Sequence, residues 1–314
     1  MFLADMHCDT ISKLYYELKR GERTNLLSNH LQIDLIKLKK ANYILQNFAV
    51  FVDTGIEKHP YQCAKGLITT FKNEINNNKN LIRQVTTVEE IFKNQKNGRI
   101  SALLTLEEGD ICEGDEKKLE LLYEDGVRMM TFTWNYENSL ATKEGLTSKG
   151  ISFLSKMEAL GILPDVSHLS KAGFYDVYRY STKPFVASHS NAVSLCNHKR
   201  NLSDDMIRKI AEKGGVIGVN FYGVFLENEP ENGIYYSKVN RIADHIMHMI
   251  HVGGISCVGL GTDFDGFNGS VEITDCSQMF LLIQELKSRN LTESEIEAVC
   301  YRNIINVYKE TFKK

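Results

Sequence analysis

The chain has 314 residues, of which 43% are hydrophobic and 25% charged, the profile of a folded protein with a sizeable core. Thirty-seven basic residues against 40 acidic ones leave a net charge of −3, which gives no reason to expect nucleic acid as the main partner. The opening Met-Phe-Leu-Ala-Asp-Met-His has neither the basic nor the long apolar region of a secretory signal. No run reaches the roughly 18 apolar residues of a spanning helix, so no membrane partner is expected. The seven cysteines are scattered and never form C-x-x-C, which suits reduced thiols and predicts a cytoplasmic location.

Short apolar runs with strand character fall at 2–9, 44–52, 100–107, 127–135, 162–168, 184–190, 216–221 and 257–264. Between them, apolar residues recur three and four apart: Leu31, Leu35 and Leu38; Leu119, Leu122 and Tyr123; Met206, Ile210 and Ala211. Near-continuous apolar strands alternating with helices predict a parallel sheet covered on its faces. Eight strands in about 260 residues fit a closed (β/α)₈ TIM-type barrel, with a doubly wound sheet as the alternative. No repeat or Pro/Gly/Ser-rich linker divides the chain, so a single catalytic domain over 1–314 is expected. The closing stretch, 292–312, reads as a helix that starts at a Thr292 cap with Glu295 completing a capping box.

The strand ends carry the chemistry. The first run ends in His7-Cys8-Asp9, the third in Glu107-Glu108, the fifth in His168, the sixth in His189 and the eighth in Asp263-Phe264-Asp265. In a barrel those ends converge on one face, where barrel active sites are built. Side chains alternate along a strand, so His7 and Asp9 point the same way and Cys8 the other. An imidazole beside a carboxylate suits zinc. His245, His248 and His251 recur at helical spacing but are read as structural, His30, His59 and His198 as surface residues, and Cys8 as a small buried hydrophobe.

At these residues the sequence resembles the membrane (renal) dipeptidase family of metallopeptidases, in its shorter soluble bacterial form. The likeness runs through "ADMHCDT", "TLEEGD", "DVSHLS", "ASHSNAVSLCNHKRN", "GVNFYGVF" and "GLGTDFDGF", in that order. It implies an amidohydrolase-like barrel with two zinc ions per chain. His7 and Asp9 would bind one ion, His168 and His189 the other, and Glu107, rather than Glu108, would bridge them. Asp263 matches the family's catalytic acid/base, and Arg200 the arginine that recognises the substrate's terminal carboxylate. Asn135, Tyr222 and Asp265 are further candidates for substrate contact.

The implied reaction is hydrolysis of dipeptides by a metal-bridging hydroxide, with acceptance of a D-residue at the C-terminal position left open. A carboxylate clamp close to the metals leaves room for one residue beyond the scissile bond. Partners implied are the dipeptide and, as an open matter, a second copy of the chain. The chain departs from the family's animal members at the end of the fourth strand, where Trp134 stands in place of a histidine and offers only an indole N–H. Two alternatives stay open: another binuclear hydrolase acting on lactones, cyclic amides or phosphoesters, and a catalytically silent metal-binding homologue. Against the first, "VRMMTFTWN" contains none of the lysines by which many such enzymes bridge their metals.

Overall fold

The computed structural model describes residues 1–229 and 232–313. Parallel pairing runs from Leu3–Asp5 to Tyr43–Phe51, then to Ile100–Glu107, Val127–Thr131 and Leu163–Asp165. Isolated bridges continue the series, Asp165 with Val186 and Ala187 with Ile217. Ile217–Val219 then pairs with Val258–Leu260. The ring closes on the first strand: Met6 N donates to Leu260 O and Asp9 N to Phe264 O, both at 2.9 Å. Each step joins strands in chain order and in the same direction, which is a (β/α)₈ barrel. A doubly wound sheet would reverse its order and leave two edges, whereas here the last strand meets the first.

Several expected strands are shorter than their apolar runs. The run 184–190 makes bridges only, and the fifth ladder stops at Asp165, short of His168. The reason lies at the rim, where the backbone leaves the ladder to aim side chains inward. His168 (φ 70°) and Asp263 (φ 62°) sit in the left-handed region, which a regular strand cannot include. Several short strands were not expected, and one of them extends the barrel sheet: Ile82–Gln84 pairs with Ile100, Ser101 and Ala102. It occupies the low end of that edge, before Val127 joins the same strand opposite Leu104.

The helices form where the apolar spacing places them. Leu119 and Leu122 are buried on Glu116–Glu124, and Met206, Ile207 and Ile210 on Asp204–Glu212. Leu31 lies outside its expected helix, which begins at Leu35 behind an Asp34 cap. The closing helix starts at Glu293 with Thr292 and Glu295 forming both bonds of the capping box. It passes through a π turn at Ala298–Arg302 and runs on as Asn303–Thr311. Its Ile304 and Tyr308 pack with Ala4, Met6, Leu45, Leu103, Met129 and Leu163 from the strands. Tyr308 Oη is 2.7 Å from Asn47 Nδ2, so a buried amide finds its partner there. The larger cluster, with Cys8, Phe48, Val50, Leu104 and Phe174, fills the layer between strands and helices. All seven cysteines are buried and free. Among the described residues, no helix is long and apolar enough to cross a membrane.

Candidate functional site

Six side chains from five strand ends meet on one rim. His7 Nε2 lies 3.3 Å from Asp9 Oδ2, 3.4 Å from Glu107 Oε2 and 3.8 Å from Asp263 Oδ1. The other oxygen of Glu107 faces the second pair of rings, 3.0 Å from His168 Nε2 and 3.7 Å from His189 Nε2. Glu107 therefore divides its two oxygens between two groups of donors. Cys8, by contrast, belongs to the outer core, with its Sγ 3.3 Å from Asn47 O. Among the described residues, the acidic, histidine or cysteine groups close enough to hold an ion are His7–Glu107–His189 and His7–Asp9–Asp263.

The hydrogen bonds behind the rings fix their tautomers. His168 Nδ1 is 3.2 Å from the amide oxygen of Asn135, which can only accept. His189 Nδ1 is 2.7 Å from Ser188 Oγ, and that hydroxyl donates its own proton to Asp165 Oδ2. Both Nδ1 atoms are thus donors, and both Nε2 atoms carry bare lone pairs. Those lone pairs face each other at 2.9 Å, with a carboxylate oxygen alongside. Asp9 Oδ1 and His7 Nε2 are also buried without a hydrogen-bond partner. Burial would lower His7, yet Glu107 and Asp9 raise it well above an ordinary histidine, so it is the one positive charge among three carboxylates. The two neutral rings and those carboxylates together suit a metal cation.

The charges agree with that reading. Burial would raise the Glu107 carboxyl, yet His7 and His168 hold it well below the usual carboxylate range. Burial pushes His189 well below an ordinary histidine, with the charges of His7 and Arg200 adding to the effect. Asp263 is pushed up to about 7, by burial first and then by Asp9 and Glu107, with His7 opposing. Its Oδ2 accepts from Asn220 Nδ2 at 2.9 Å. Asn220 escaped the sequence reading although it stands one residue beyond Ile217–Val219, in the stretch that also holds Tyr222.

The backbone is bent to make this possible. Glu108 (φ 93°), His168, Asp263 and Asp265 (φ 67°) are all left-handed without being glycine, a conformation that costs of order 1–3 kcal/mol at each position. Gly266 is required by space. A Cβ there would lie 2.3 Å from Asp263 Oδ1 and 2.4 Å from Asp9 Oδ2.

Above the cluster opens a cavity of about 490 Å³. Arg200 reaches its wall 9% exposed, with Nε lacking a partner and Nη2 only 3.5 Å from His189 O. The guanidinium rests over the Phe225 ring. Trp134 packs against Phe51, ring centroids 4.8 Å apart, with its backbone N donating to Glu108 Oε2 at 2.8 Å. Glu108 also accepts from Asp110 N, so it caps the loop and stays outside the histidine cluster. Asn135 lies exposed at the mouth, and Tyr222 stacks on Phe267. Asp265 touches the cavity, but its oxygens accept from Thr10 Oγ1 at 2.6 Å and Gln32 N at 2.7 Å. That carboxylate anchors neighbouring loops, which differs from the expected substrate contact. His245 is buried between Ala192 N and Leu226 O, as a structural histidine would be.

The chain matches, over residues 1–314, the family model described as membrane dipeptidase (peptidase family M19). An uncharacterized dipeptidase of Schizosaccharomyces pombe is 30% identical over 320 residues, covering 94% of this chain and 75% of that protein. A dipeptidase of Aspergillus oryzae is 28% identical, covering 88% and 69%. A metallopeptidase from Rhodobacter sphaeroides, liganded with a phosphinate mimic of the dipeptide L-Ala-D-Ala, shares the fold with a TM-score of 0.90 at 23% identity, over 99% of each chain. A solved structure of the dipeptidase AC gives a TM-score of 0.91 at 24% identity, again over 99% of each chain. With a family match from end to end and a relative at 30% identity, the chain belongs to the membrane dipeptidase family and is a metallopeptidase of that family.

Proposed function

We propose that this protein is a zinc dipeptidase in which His7 and Asp9 hold one ion, His168 and His189 a second, and Glu107 both. The observation that carries the reading is the pair of facing Nε2 lone pairs, set against a carboxylate whose two oxygens serve separate groups. Bound there, such ions supply Lewis acidity and lower the pKa of a water from 15.7 toward about 7.

The chain's own residues do the rest. Asp263, its carboxylate turned toward the cluster, takes a proton from the attacking water and returns it to the leaving amine. Asn220 holds one oxygen of Asp263 and leaves the other turned toward the cluster. Arg200, buried and short of partners, grips the C-terminal carboxylate with its planar fork. Trp134 and Phe51 cover one side of the cavity with aromatic surface and exclude water from it. The dipeptide mimic bound by the Rhodobacter sphaeroides protein supports both the length of the substrate and a D-residue at its C-terminal side. We further infer one catalytic domain acting in the cytoplasm, a reading supported by seven buried free thiols.

The test is turnover of L-Ala-L-Ala and L-Ala-D-Ala by zinc-reconstituted protein, beside their C-terminal amides and with Arg200→Ala. Hydrogen bonds to charged groups contribute about 1.5–3 kcal/mol, so the variant should raise KM roughly ten- to a hundredfold. Equal turnover of the acid and the amide would remove Arg200 from its role. Failure to cleave any dipeptide, with lactones or cyclic amides cleaved instead, would replace the reading with another hydrolase.

A further inference from the structure

Beside the cavity above the cluster lies a second one of about 570 Å³. The two share a wall made by Trp134, Asn135, His168, His198, Lys199 and Arg200. The second chamber has apolar surface of its own from Leu169, Val193 and Met206, and Lys171 at its edge. Among the described residues, no carboxylate stands within ion-pair distance of Lys171 or Lys199, and both are exposed. Two cations without an ion-pair partner, Lys171 and Lys199, thus stand beside Arg200 around one chamber of a chain whose net charge is −3. Their field is felt locally. His198 lies below its ordinary value because of burial first, then Arg200 and Lys199.

We propose that the second chamber receives the side chain of the substrate's C-terminal residue and selects an acidic one through Lys171 and Lys199. The proposal rests on the dipeptidase reading, in which Arg200 holds the α-carboxylate. Arg200 belongs to the shared wall, so the Cα next to that carboxylate sits at the junction of the two chambers. One substituent of that Cα is the amide nitrogen, which must face the metal cluster and Asp263. The side chain is left with the second chamber as its open neighbour. There Leu169, Val193 and Met206 meet its methylene stem, and the two lysines reach its far end on flexible chains. Glutamyl fits both features: an apolar methylene stem and a carboxylate at its tip.

The measurement is kcat/KM of the zinc-loaded full chain on Ala-Glu against Ala-Gln, with both stereoisomers at the second residue. Glutamine keeps the shape and removes the charge. A single exposed ion pair is worth up to about fivefold, so two lysines should give a Glu-to-Gln ratio of about ten at low salt, falling as salt rises. Lys171→Met with Lys199→Met should bring the ratio close to one, and each single change should lower it part of the way. A ratio near one in the unaltered chain, or a preference that survives the double variant, overturns the proposal while leaving the dipeptidase reading intact. If neither substrate nor any other dipeptide is cleaved, both fall together.

Discussion

His168 and His189 present their Nε2 atoms to each other at 2.9 Å, each ring held from behind through its Nδ1. Asn135 takes the Nδ1 proton of one ring and Ser188 that of the other, so the contact between the Nε2 atoms is one of two lone pairs. Two acceptors at hydrogen-bond distance repel unless positive charge lies beside them. The fold nonetheless holds the rings there, through Asp165 behind Ser188 and through the left-handed turn at His168.

The first prediction follows from that repulsion. A cation binding these groups stabilises the folded state by about 2.7 kcal/mol per site when its free concentration is a hundred times Kd. At about 2.1 cal/mol/K of unfolding entropy per residue, each kcal/mol moves Tm of a chain this long by roughly 1.5 °C, so two filled sites move it by about 8 °C. Chelated protein should therefore melt at least about 5 °C below the zinc-loaded form in a calorimetric scan. Identical melting with and without zinc would mean that the cluster holds no ion.

Asp263→Asn should separate proton transfer from metal binding. The substituted side chain keeps its size, and its amide oxygen can still accept from Asn220, so the rim should stay in place. General acid/base groups contribute about 10²–10⁴-fold, and kcat should drop within that range at unchanged zinc content. Asp263 Oδ1 stands 3.8 Å from His7 Nε2, near enough to matter to the ion. Loss of zinc by the variant, with activity returning in excess zinc, would make Asp263 a ligand instead of the base.

Gly266→Ala tests the crowding beneath the site. The added methyl would press on carboxylate oxygens of Asp263 and Asp9 at 2.3 and 2.4 Å. One of those two side chains must move, and a shift near 1 Å at a reacting group can cost about a hundredfold. We expect at least tenfold lower kcat/KM and weaker zinc binding, with the far-ultraviolet circular dichroism unchanged. Full activity in this variant would show that the rim tolerates displacement.

Trp134→His alters the residue at which this chain departs from the family's animal members. The backbone bond to Glu108 survives the change, but the packing on Phe51 and Tyr136 is lost. Preference among N-terminal side chains and kcat should both change, while zinc content stays the same. An oxyanion donor gained at this position has a ceiling of about 10²–10³-fold. The same rates across a dipeptide panel would show that the indole does not touch the substrate.

The sequence by itself determined the barrel and the membership of the rim. Apolar runs ending in His, Asp and Glu are local information, and period-two alternation was enough to send His7 and Asp9 inward and Cys8 outward. The Thr292 capping box was legible for the same reason, since its partners lie three residues apart. Only tertiary structure decided how those groups work together. The tautomer of His168 depends on Asn135, 33 residues away, and the state of Asp263 on Asn220 and two carboxylates from other strands. Asp265 could not be assigned from its motif, because its oxygens are taken by Thr10 and by Gln32, 255 and 233 residues earlier. The missing ladder at 184–190 has the same cause. Whether an apolar run becomes a strand or a pair of bridges is set by where its neighbours turn out of the sheet, and here they turn to aim His168 and His189 at Glu107.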